Sequence, residues 1–277
     1  MKKLTYIFLL ASIALLSACE RDVTGVEVPK VNPELVVFSF ISPEEFHIKV
    51  NVSLSRPIFG KPTPNANVNN AVVTLSNANG QKVTLPYADT IAAYYTNQNV
   101  MPIEPGKTYT LEVEYSNYKT KATCTVPLSK PEVTEIITTK LADPNSGNNG
   151  PFYIYNYKFN DVASKKNYYR VMTQYYSAPG SWGPGYYSEI CGSFYDDEGF
   201  EGKTISGKCE DYSFSSIENK RYFFLLNTDV HYYEYMRRRV NYFGDDPFSE
   251  PSPQYNNMIG GLGVFASYRM SIKEFLP

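Results

Sequence analysis

Leu16-Ser17-Ala18-Cys19 sets one thiol behind small and aliphatic residues, at the end of a leader that starts with Lys2 and Lys3 and runs apolar from Tyr6 to Ala18. Positive charge, apolar run and small residues in that order make a secretory leader, and a cysteine directly after it fits a bacterial lipoprotein signal. The chemistry is acylation: Cys19 becomes the first residue of the mature chain and carries the lipid. The apolar run is shorter than the ~20 residues a helix needs to cross hydrocarbon. An ordinary secretory leader would leave Cys19 without a purpose. Lipid anchoring is therefore the reading adopted.

Other residues with chemical potential are sparser. Cys191 and Cys209 close a short loop bearing glycines and acids. In an oxidising envelope they form either a bridge, contributing ~3 kcal/mol, or two free thiols. Cys124 alternates to one side with Ala122 and Val126 and reads as a core thiol. His47 and His231 lie far apart and read as surface or rim residues. His231 with Glu234 gives His-x-x-Glu, without the second histidine of a zincin. No Gly-x-Ser-x-Gly elbow marks a nucleophilic serine, although a Ser–His–Asp triad need only meet in space. Asp196-Asp197-Glu198 before Gly199 offers oxygens to a hard cation, but the spacing matches no EF-hand, so a solvated acidic loop is expected. Carboxylate pairs for glycoside hydrolysis could be drawn from Glu189, Asp196, Asp197, Glu198 and Glu201, with nothing to select two of them. The expectation is no catalytic residue, no metal and no cofactor.

One stretch looks suited to binding. Tyr175, Tyr176, Trp182, Tyr186, Tyr187, Phe194 and Tyr195 are interleaved with Gly and Pro. Rings held in a loop offer rigid contact area to a sugar, peptide or protein at low ordering cost. Trp182, Tyr186 and Tyr187 are the expected contacts. The competing reading folds these rings back over a core edge.

The elements that position these groups read mostly as short strands. Leu35 to Ile41 is almost wholly apolar, and Ile48, Val50, Val52 and Leu54 share one face of an alternating run. Strands follow at 71–76, 81–85, 92–96, 108–115 and 118–126, with Asn77 to Gly80 as a hairpin turn. Seven strands between 33 and 128 suggest an immunoglobulin-like β-sandwich by strand count alone, since the Cys–Trp–Cys signature is missing. Pro127 to Pro131 reads as a boundary. Residues 129–277 read as a second β-rich domain, sandwich or barrel-like, with strands at 132–140, 152–160, 168–176, 221–227 and 263–272. Residues 177–216 show little periodicity. Thr228 or Asp229 can cap a helix near 229–242, with Glu234 and Arg238 paired at i,i+4. The expected organisation is a leader at 1–18, an acylated cysteine and tether at 19–32, then the two β domains. The class is mainly all-β.

The balance of 26 basic to 28 acidic residues excludes nucleic acid as a partner, because phosphate neutralisation needs a clustered basic face. Arg237-Arg238-Arg239 is the densest basic run. Tyrosine is abundant, 25 residues against one Trp, which fits strands wet on one face.

With the lipobox, the seven-strand first half, Tyr168-Tyr-Arg-Val171 and Asn257-Met-Ile-Gly-Gly-Leu-Gly-Val-Phe265, the chain resembles the Bacteroidetes outer-membrane lipoproteins grouped as a domain of unknown function (DUF4249). The resemblance covers nearly the whole mature chain and implies no catalytic residues. It implies an outer-membrane lipoprotein, often encoded beside a TonB-dependent transporter. Glu20 and Asp22 resemble the surface-export signals of such lipoproteins, so a surface-exposed position is expected rather than a periplasm-facing one. The function expected is a non-enzymatic binding or accessory subunit, held to the bilayer through Cys19 and working with a TonB-dependent receptor. A structural or adhesive surface module is the alternative, and an envelope hydrolase the less favoured third.

Overall fold

The alternating segments become strands, and the strand faces decide how the sheets stack. The computed structural model describes residues 32–56, 66–142, 151–163, 165–177, 186–211, 220–240 and 254–276. The leader, Cys19 and the tether lie outside them. The first run of strands is β1 (Leu35–Ile41), β2 (His47–Leu54), β3 (Val72–Asn77), β4 (Lys82–Leu85), β5 (Tyr87–Ala88), β6 (Ala93–Asn97), β7 (Thr108–Tyr115) and β8 (Tyr118–Thr125). After the prolines come β9 (Val133–Ala142), β10 (Pro151–Asn160), β11 (Tyr168–Ser177), β12 (Tyr186–Asp196), β13 (Thr204–Asp211) and β14 (Arg221–Thr228). The helix α1 (Val230–Val240) and the last strand β15 (Leu262–Phe275) complete the chain.

Three sheets result. Eight strands join in the order β12-β11-β14-β15-β1-β2-β6-β5, four in the order β4-β3-β7-β8, and three in the order β13-β10-β9. Strict alternation explains the first layer: β2 buries Ile48, Val50 and Val52 and turns His47, Lys49 and Asn51 to solvent. Those side chains, with Leu35 and Val37 of β1, share a core with Val73, Leu75, Leu111 and Val113 of the four-stranded sheet. A second core lies between the other half of the long sheet and the three-stranded sheet. There Tyr155, Tyr157 and Phe159 meet Tyr169, Val171, Phe223 and Leu225. The opposite face of the long sheet carries α1, whose Tyr232 and Tyr235 rings meet Phe38 and Phe40 of β1. The fold is mainly β, sandwich-like, with one helix and no closed barrel among the described residues.

The long sheet takes strands from both sides of residue 128, and β15 makes the join. Its residues from Leu262 to Ser267 run parallel to β1, whereas Tyr268 to Phe275 run antiparallel to β14. The glycines before and inside β15 permit this approach. A Cβ on Gly263 would stand 1.9 Å from the carbonyl oxygen of Val37, and its φ of +119° is closed to ordinary side chains. At Gly260 a Cβ would stand 2.5 Å from Lys119 O, at the bridge where Ile259 pairs with Lys121 of β8.

One difference from the sequence reading has a physical reason. Residues 177–216, read as aperiodic, contain β12 and β13. Their inward positions hold Tyr195, Cys191 and Cys209, with Ile190 and Ile205 too few and far apart to mark a hydrophobic alternation. The helix begins directly after Asp229, as its cap requires, and its end, expected near Tyr242, falls outside the described residues.

Candidate functional site

Where the linker 127–131 crosses the long sheet, one buried and one half-buried side chain hold it. Asn227, at the end of β14 and 2% exposed, donates its Nδ2 to Ser129 O at 3.1 Å. Arg269 of β15 donates through its guanidinium to Leu128 O at 2.9 Å and to the Glu44 carboxylate at 2.8 Å. These bonds fix backbone carbonyls that a connecting segment would otherwise leave to water.

Beside this clamp lies a cleft of about 440 Å³. Its apolar wall is Val126, Pro127 and Leu128; its polar wall includes Lys165, Asn167, Asn227 and the start of α1 at Asp229 and Val230. The volume is that of a small-ligand site, and an apolar wall facing a few polar groups is the usual lining of one. Lys166 at the mouth is held by the Asp197 carboxylate at 2.7 Å, which raises its pKa through the hydrogen bond and the charge. Lys165 has no ion-pair partner among the described residues. A second, more apolar cavity of about 350 Å³ lies among Phe38, Tyr235, Tyr255 and Leu262.

Asp229 ties the cleft floor to the sheet. One carboxylate oxygen accepts the N–H of Tyr232, capping α1, and the other accepts both the N–H and the hydroxyl of Ser267 at 2.9 Å. Burial outweighs these bonds and pushes its carboxyl up to about 7. The neighbouring Cys124 thiol is fully enclosed, and burial pushes its pKa well up, which withholds the thiolate that nucleophilic chemistry needs.

The remaining candidates distribute as follows. Cys19 and Trp182 lie outside the described residues. Tyr186 and Tyr187 open β12, paired with Ser177 and Tyr176. A disulfide joins Cys191 of β12 to Cys209 of β13, with Cα atoms 5.8 Å apart. Tyr195 turns inward, its hydroxyl 2.7 Å from that of Tyr157, and Phe194 lies under Arg170 and Tyr233. Glu189 accepts from Arg170, which also donates to Tyr232 of α1. His47 stacks on Tyr95, and His231 meets the Tyr255 hydroxyl at 2.7 Å, with its pKa lowered by burial. Glu234 pairs with Arg238 at i,i+4.

The acidic loop departs from expectation at Asp197, while Glu198 and Gly199 are exposed. Asp197 is buried, not solvated, because it accepts the N–H of Asn167 at 2.6 Å as well as the Lys166 ammonium. Asp161, Asp197 and Glu201 bring carboxylate oxygens within 4.8 Å of one another. Asp161 accepts from Tyr169 Oη, Asn167 Nδ2 and Gly202 N, so protein donors already occupy its oxygens. Asp161 escaped the sequence reading because it lies far along the chain from the acidic run and next to no motif.

The family model described as "Domain of unknown function (DUF4249)" matches residues 22–274. The chain belongs to that family. The matched span covers every described strand but for the last residue of β15, together with the clamp, the cleft and the glycines of β15. No curated protein matches the chain.

Proposed function

We propose that this DUF4249 chain is an outer-membrane-anchored lipoprotein, held through lipid on Cys19, that captures a ligand as an accessory subunit of a TonB-dependent transporter. The anchor is supported by Leu16-Ser17-Ala18-Cys19 behind a short apolar run. Several acyl chains make such anchoring lasting, where a single one would not, and tethering raises the local concentration of the protein near its partner. The binding role is carried by the cleft beside the linker, where Lys165 and Asn227 face Val126 and Leu128. Tyr186 and Tyr187 pair with Ser177 and Tyr176, at the end of β11 away from Tyr168 and the cleft, so with Trp182 they make a separate candidate contact.

The test is affinity isolation after mild crosslinking of intact cells, using the wild-type chain and Cys19→Ala. The expected main partner is a TonB-dependent receptor, recovered with the wild type and lost with the variant. Recovery of a matrix or host component instead would favour the adhesive reading.

A further inference from the structure

The sheets have six edges, and five of them are short, covered or stapled. β5 has two residues and β4 has four. β8 is met by Ile259, which exchanges two backbone hydrogen bonds with Lys121. β12 and β13 are joined to each other through Cys191 and Cys209. The sixth, β9, has ten residues, pairs with β10 on one side, and pairs with nothing on the other among the described residues. It holds neither proline nor glycine, and Ile137 (51% exposed) and Leu141 (38%) stand on its outer face. Its Glu135 is turned back onto Lys158 of β10. A β-bulge shifts its register with β10 between Lys158 and Phe159, but Glu135 to Ala142 pair regularly, and a long β-branched edge is a template for another strand.

We infer that β9 pairs antiparallel with β9 of a second copy of this chain, across a two-fold axis at Ile137. Side-by-side pairing about such an axis keeps both faces continuous only when the axis passes through a residue. Centred on Ile137, the pairing sets Ile137 against Ile137 of the second copy, Ile136 against Thr138 and Glu135 against Thr139. Lys140 falls next to the pair of Thr139 with Glu135, before the bulge at Thr134, so the acidic end of one regular run meets the basic end of the other. Parallel pairing would set Glu135 on Glu135 and Lys140 on Lys140, which is unfavourable. The two three-stranded sheets become one six-stranded sheet with a self-complementary, closed interface.

The full chain purified in detergent, carrying Ile137→Cys, is oxidised mildly and run without reductant. Directly opposed residues are within disulfide reach, so Ile137→Cys forms a covalent dimer, whereas Leu141→Cys, set far from its own copy by the antiparallel register, forms at least tenfold less. Ile137→Lys weakens the dimer at least tenfold by light scattering, with an unchanged circular dichroism spectrum. A monomer at all concentrations, equal crosslinking of the two cysteine variants, or capture of Ile137→Cys by a different protein in cells would overturn the inference.

Discussion

At Asp229 two effects oppose each other. Hydrogen bonds from Tyr232 and Ser267 favour the carboxylate, and burial favours the acid; burial wins and the pKa rises to about 7. The native state therefore binds this proton more tightly than the unfolded chain does. Its contribution to stability is complete below the ordinary aspartate range and is lost as the pH climbs through about 7. Urea unfolding of wild type and Asp229→Asn from pH 4 to pH 8 measures it. The wild type loses about a few kcal/mol of stability relative to the variant as pH rises, and a difference independent of pH would contradict the assignment. A second buried charge behaves differently. Arg221, fully buried on β14, is held by Asp211 of β13 at 2.9 Å, and Tyr155 donates to the same carboxylate, so the pair is compensated across the two sheets.

The elements differ in how plainly the sequence announced them. The alternation of Ile48, Val50 and Val52 and the hairpin turn at Asn77 to Gly80 mark β2, β3 and β4 to within a residue or two. The cap at Asp229 marks the start of α1. What no local pattern carries is pairing between distant strands. The parallel contact of β1 with β15 leaves as its trace only the glycines at 260, 261 and 263, which read as close approach without saying to what. Nor could spacing place Asn227 and Arg269 at the linker, or Asp161 beside Asp197, because each contact joins segments far apart in sequence. Two glycine substitutions separate close approach from backbone freedom. Gly263→Ala drives a methyl into Val37 O and leaves the chain unable to fold stably, whereas Gly80→Ala meets nothing within 4 Å and costs only ~1 kcal/mol for its positive φ. Thermal unfolding of both variants checks the pair, and similar losses would show that the β15 junction is not closely packed.

Across the whole molecule, the long sheet acts as the common floor for two smaller sheets, with α1 beneath. The disulfide between Cys191 and Cys209 is one tie between the long and three-stranded sheets, and the Arg221–Asp211 pair is another. Reduction is expected to lower the unfolding free energy by ~3 kcal/mol, read as a drop in the denaturant midpoint, and an unchanged midpoint would mean that the bridge constrains little. This body is a folded platform for the cleft beside the linker, and the account of what the platform does depends on where it is held. The direct measurement is metabolic labelling of cells with radioactive palmitate, followed by membrane fractionation of the wild-type chain and Cys19→Ala. The account predicts label on the wild type in the outer-membrane fraction, and an unlabelled, soluble variant. A wild-type chain that takes up no label and is recovered soluble would contradict it.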